Sequence, residues 1–90
     1  MEFTIEITDV KKVFRIWTLA TARVNGYRYD IQMVRHDRPV GHGIRRGRIS
    51  KLWMCSGRPS DSTNYDRKWD VKPFSAEGRA LLEAILRKFN

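Results

Sequence analysis

Between Arg35 and Gly47, three glycines and one proline fall within thirteen residues, among Arg35, Arg38, Arg45 and Arg46, with Arg48 just beyond. Guanidinium forks bind phosphate and carboxylate with two parallel hydrogen bonds, and glycine lets backbone N–H groups approach an anion closely. The run therefore reads as a mobile basic loop able to close around phosphates. Arg23 and Arg28 supply two further cations upstream, and Trp17 offers a ring on which a base can stack. Aromatic residues interleaved with arginine on a sheet are the parts from which single-strand binders are built. Of the other aromatic residues, Trp53 and most of the tyrosines are expected in the core. The expected ligand-binding set is Arg23, Arg28, Arg38, Arg45, Arg46, Arg48, Trp17 and His42.

His36 and His42 raise the alternative of a small hydrolase or ribonuclease. Two histidines in a loop, with no third firm ligand, do not make a zinc site. Nothing in their spacing fixes the geometry that acid–base catalysis requires. Their expected role is as extra donors in the basic loop, strongest below about pH 6.5. No catalytic residue, metal or cofactor is implied. Cys55 sits in an apolar strand pattern and reads as packing rather than as a nucleophile.

The charge is unevenly placed. Residues 9–51 carry eleven Lys and Arg against three acids, while the remainder carries seven of each, so the whole +8 resides in that stretch. Such a field steers anions and releases counterions from polyphosphates. The partner classes it favours are nucleic acid, a nucleotide, or an acidic protein surface.

These residues need a scaffold, and 90 residues make a single domain spanning 1–90. One cysteine permits no internal disulfide and suits a reducing compartment. No apolar run approaches the roughly 20 residues that span a bilayer, and the amino terminus lacks the pattern of a signal peptide. The expectation is a cytoplasmic protein with no membrane partner.

Phe3, Ile5 and Ile7 alternate with polar residues, which predicts a strand ending in a turn at Thr8-Asp9. Residues 13–24 and 27–35 are predicted strands joined by Asn25-Gly26, the strongest short hairpin signal. A two-residue turn fixes the register: Val24, Ala22, Ala20 and Thr18 face Tyr27, Tyr29, Ile31 and Met33 towards the core. The other face opposes Arg23 to Arg28, a repulsive pair unless an anion or a nearby acid such as Asp30 offsets it. A fourth strand, Arg48–Cys55, is apolar on both sides at its distal end and so reads as central. Residues 56–64 read as a surface loop, and the alternation of Tyr65–Val71 predicts a fifth strand at an edge. Ser75 is a candidate N-cap for a helix over 76–89, buried through Leu81, Leu82, Ile85, Leu86 and Phe89, with Glu83 and Arg87 as an i,i+4 pair. The expected fold is α+β: about five mainly antiparallel strands with one carboxy-terminal helix packed on one face. One helix cannot cover five strands. The other face must therefore be polar, pair with a second copy in a homodimer, or hold a ligand.

The segments Gly47-Arg48-Ile49-Ser50-Lys51-Leu52-Trp53 and Tyr65-Asp66-Arg67-Lys68-Trp69-Asp70, with the terminal helix ending in Phe89-Asn90, resemble a family of small uncharacterised domains found in bacterial and phage genomes. The resemblance covers about the last half of the chain. The family has glycine where Lys68 stands and small residues where Arg45 and Arg46 stand, so this chain is the more basic. The resemblance carries no activity. It implies a phage-type accessory protein, in the host cytoplasm, that inhibits a host defence system by blocking a nuclease or binding a nucleotide signal.

Overall fold

Asn25 and Gly26 both take positive φ, 51° and 87°, as a two-residue turn matched to strand twist requires. They join β2 (Trp17–Val24) to β3 (Tyr27–Arg35) in the register read from the sequence, from Val24 opposite Tyr27 to Trp17 opposite Val34. Asn25 also holds the neighbouring strand: its Oδ1 accepts from the Thr4 N–H at 2.9 Å, and its own N–H donates to the Thr4 carbonyl. In this computed structural model, residues 3–13, 16–57 and 62–90 are described.

The sheet is antiparallel with six strands in sequential order: β1 (Ile5–Val13), β2, β3, β4 (Ile49–Cys55), β5 (Ser62–Asp66) and β6 (Trp69–Val71). A single helix, α1 (Ala76–Phe89), follows. The α+β expectation holds, with three local differences. Thr8-Asp9 is not a turn. β1 continues through it by a bulge, with Asp9 at φ 54° and the register shifting between Thr8 and Lys11. The segment expected as one strand over 65–71 is a hairpin instead. Its turn places Arg67 at φ 65° and is closed by the Asp66 N–H donating to the Lys68 carbonyl at 2.9 Å. β5 accordingly begins at Ser62, inside the expected loop, while residues 58–61 of that loop and residues 14–15 of the expected second strand lie outside the described residues.

Alternate side chains of the central strands are buried. Ala20, Ala22 and Val24 of β2, Tyr29, Ile31 and Met33 of β3, and Leu52 and Met54 of β4 form one apolar cluster with Leu81, Leu82, Ile85, Leu86 and Phe89 of α1. This side is the inner face of the sheet. α1 begins as expected, with the Gly78 N–H donating to Ser75 Oγ at 2.9 Å. No helix among the described residues is long and apolar enough to cross a membrane.

Residues 36–48 are not the open loop their composition suggests. Ile44 is 1% exposed and belongs to the core cluster. Backbone bonds close the segment: His36 N–H to Arg48 O, Val40 N–H to Gly47 O, Gly43 N–H to Val40 O and Gly47 N–H to Ile44 O. Gly43 and Gly47 serve packing here. A Cβ on Gly43 would lie 2.1 Å from the Gly47 carbonyl oxygen, and one on Gly47 would lie 2.2 Å from the Asn90 side chain.

Candidate functional site

The outer face of the sheet is polar and aromatic. Register sets its rows. Thr8, Thr21, Asp30, Cys55 and Ser62 lie in one row across the strands, and Leu19, Gln32, Trp53 and Asn64 in the next. Trp17, Val34, Lys51 and Asp66 follow, towards the end of β3 where residues 36–48 begin. Arg23 and Arg28 close the opposite end, beside Glu6.

Trp17 and Trp53 line one depression of about 190 Å³, together with Gln32, Lys51, Asn64 and Asp66. Trp53 and Gln32 also line a second, broader one of about 390 Å³, which reaches Lys11, Thr21 and Asp30. The bulge in β1 brings Asp9 to its rim. Trp53 was expected in the core; it is 36% exposed, on the outer face. The signal was present in the sequence. Lys51, Trp53 and Cys55 alternate with the buried Leu52 and Met54, and a lysine in that set marks the set as outward.

The polar groups on this face differ in how far they are committed. Asn64 Nδ2 donates to Asp70 Oδ2 at 3.1 Å, and Lys51 stands 3.7 Å from Asp66. Arg28 pairs with Asp30 at 3.3 Å, the offset expected for the opposed arginines, while Arg23 has Glu6 opposite it in the register. Among the described residues, Gln32, Lys11 and Arg23 have no side-chain partner. Gln32 therefore presents an uncommitted amide, both donor and acceptor, beside two tryptophans.

The structure divides the expected ligand-binding set. Arg23 and Arg28 sit at the hairpin end. Arg38, His42, Arg45, Arg46 and Arg48 belong to the segment beyond the other end of β3, and the seven-residue step from Arg28 to Arg35 is roughly 23 Å of strand. Within the second group the side chains have separate tasks. Arg48 Nε donates to the His36 carbonyl at 2.8 Å. Arg45 reaches Glu83 of α1 with both terminal nitrogens, one at 3.1 Å. That hydrogen bond is the main reason the Glu83 carboxyl is held below its ordinary range, and the nearby Arg87 charge adds to it. The expected Glu83–Arg87 pair is thus secondary to a contact across 38 residues of chain. Arg38 and Arg46 are exposed and in no ion pair among the described residues.

The histidines are placed by structure too. The His36 ring shares a 2.9 Å hydrogen bond between Nε2 and the buried Ser50 Oγ, and it meets the His42 ring edge-on at 6.0 Å. The carbonyl of His42 accepts from the Tyr65 hydroxyl at 2.9 Å. No group of three metal-ligating side chains occurs among the described residues.

A model of a family described as a domain of unknown function, DUF7678, matches residues 16–90. The chain belongs to this family. No curated protein and no solved structure matches it significantly. The family match takes in Trp17, Gln32, Lys51, Trp53 and Asn64, whereas β1, with its bulge and Lys11, precedes it.

Proposed function

We propose that the protein binds single-stranded nucleic acid along the outer face of its sheet, without transforming it. With α1 packed over the inner face, successive bases stack on Trp17 and Trp53 while Gln32 hydrogen-bonds a base edge. Lys11, Arg23, Arg28 and Lys51 follow the phosphates. The observation that carries this reading is that two tryptophans and an uncommitted amide line one depression on a sheet face that carries cations at its ends. Stacking of bases on aromatic side chains of a sheet, with a basic track beside them, is how sequence-tolerant single-strand recognition works. The reading keeps the phosphate-rich ligand expected from the charge but moves its centre from the arginine segment to the sheet. It accords with an accessory protein that sequesters a nucleic acid or a nucleotide signal in a host defence, the role that the family resemblance implies.

Titration of the protein with a short single-stranded oligonucleotide at low salt tests this by tryptophan quenching. Trp53→Ala and Trp17→Ala are each expected to weaken binding by about 1–3 kcal/mol, the scale of one base stack. Unchanged affinity in both variants, or no binding at any salt, sinks the proposal. The latter result would turn attention to an acidic protein as the partner of Arg38 and Arg46.

A further inference from the structure

A cleft of about 400 Å³ opens on a different part of the molecule, where α1, the turn at Ile44–Arg46 and the chain after β6 meet. Its floor is apolar: Ile44, Trp69, Pro73 and Leu82 line it, and Ile44 and Leu82 are themselves core residues. Its rim is cationic, with Arg45, Lys72 and Arg79 against one acid, Glu83. The volume falls within the range of small-molecule sites, which are mainly apolar with a few placed polar groups.

Two of the three cations are fixed before any ligand arrives. Arg45 is held by both oxygens of Glu83, and Arg79 Nη1 donates to the Phe74 carbonyl at 2.9 Å. Their remaining N–H donors are thereby aimed rather than mobile, which lowers the ordering cost of binding. Glu83 is already satisfied by Arg45, and Lys72 has no acidic partner among the described residues. A second observation concerns the backbone. Arg45 and Arg46 are consecutive non-glycine residues at φ 52° and 56°. That conformation is unfavourable for each of them, and it persists only where the surroundings hold it, a pattern concentrated at binding and switch sites. Here it directs Arg45 towards the helix and the cleft.

We propose that this cleft is a second binding site, for a small ligand that joins a carboxylate or phosphate head to a flat apolar body. The body lies on Trp69, Pro73 and Leu82, and the head meets Lys72 and the free donors of Arg79. The site is independent of nucleic-acid binding on the outer face. Its ligand differs as well, because the floor has no amide or hydroxyl to read a base edge.

Titrating the isotope-labelled protein with 1-naphthyl phosphate, and following the indole N–H signals of its three tryptophans, tests the assignment. The Trp69 signal is expected to shift saturably, with naphthalenemethanol and inorganic phosphate each binding more weakly. Lys72→Glu should weaken 1-naphthyl phosphate by about tenfold, the scale of a reversed rim charge. Lys68→Glu, in the exposed turn between β5 and β6, should leave it unchanged. Lys72→Glu should also leave oligonucleotide quenching at Trp17 and Trp53 intact, which separates the two sites. The proposal is overturned if Trp69 does not respond, if Lys72→Glu binds as well as the parent, or if inorganic phosphate alone matches the full probe.

Discussion

Asn90 joins three parts of the chain through one amide. Its Oδ1 accepts from the Ile49 N–H at 3.0 Å, its Nδ2 donates to the Ile44 carbonyl at 3.0 Å, and its side chain fills the space beside Gly47. Replacing it with alanine takes the acceptor from the buried Ile49 N–H, while the Ile44 carbonyl keeps only its bond from the Gly47 N–H. Asn90→Ala should therefore cost about 1–3 kcal/mol, read as a fall in Tm of roughly 4–8 °C per kcal/mol for a domain of this size. Glu83 makes a smaller contribution. Its pKa is lowered in the folded state, so the Arg45 pair stabilises the protein above the unfolded carboxyl value and loses that effect as pH falls through the folded one. Both partners are about half exposed, which limits the effect to under about 1 kcal/mol. Glu83→Gln should lower Tm slightly at pH 7, and the difference should fade only as pH falls below the ordinary carboxylate range, through the lowered folded-state value. Neither residue's role was legible in the sequence, because their partners lie 38 to 46 positions away.

Among the elements, those governed by local chemistry were legible. Asn25-Gly26 set the β2–β3 register, and Ser75 with the Leu81–Phe89 stripe set α1. The β5–β6 hairpin was not, because its turn places Arg67 in the left-handed region with no glycine to signal it. The Arg35–Arg48 segment departs from the open loop its composition suggests for a related reason. Gly41, Gly43 and Gly47 look alike in sequence, yet a Cβ meets nothing at Gly41 and collides with backbone at Gly43. The same distinction orders two substitutions. Gly26→Ala meets no atom within 4 Å and is opposed only by its φ of 87°, a cost of about 1–2 kcal/mol. Gly43→Ala has an ordinary φ of −75° but must displace the Gly47 carbonyl, which costs about 1–3 kcal/mol or more. Thermal denaturation should rank Gly43→Ala as the more damaging of the two. The reverse order would mean that the turn at Ile44–Arg46 yields to accommodate the methyl group.

At the scale of the whole molecule, the +8 is not one patch. The sequence confined it to residues 9–51, but folding sends Lys11, Arg23, Arg28 and Lys51 to the outer face and Arg38, Arg45, Arg46 and Arg48 to the segment packed against α1. Linear position could not show this, because β3 carries the chain from one end of the sheet to the other between the two groups. The division has a measurable consequence. Each phosphate neutralised on a single strand contributes about −0.7 to the slope of log binding constant against log salt, so four outer-face cations give a slope of about −3. Replacing Lys11 and Arg23 together by glutamine should reduce its magnitude by about 1.4. Replacing Arg38 and Arg46 should change it little, since neither residue belongs to a strand row of the outer face. If the second pair flattens the slope and the first does not, the nucleic acid follows the arginine segment rather than the sheet, and Trp17 and Trp53 lose their place in recognition.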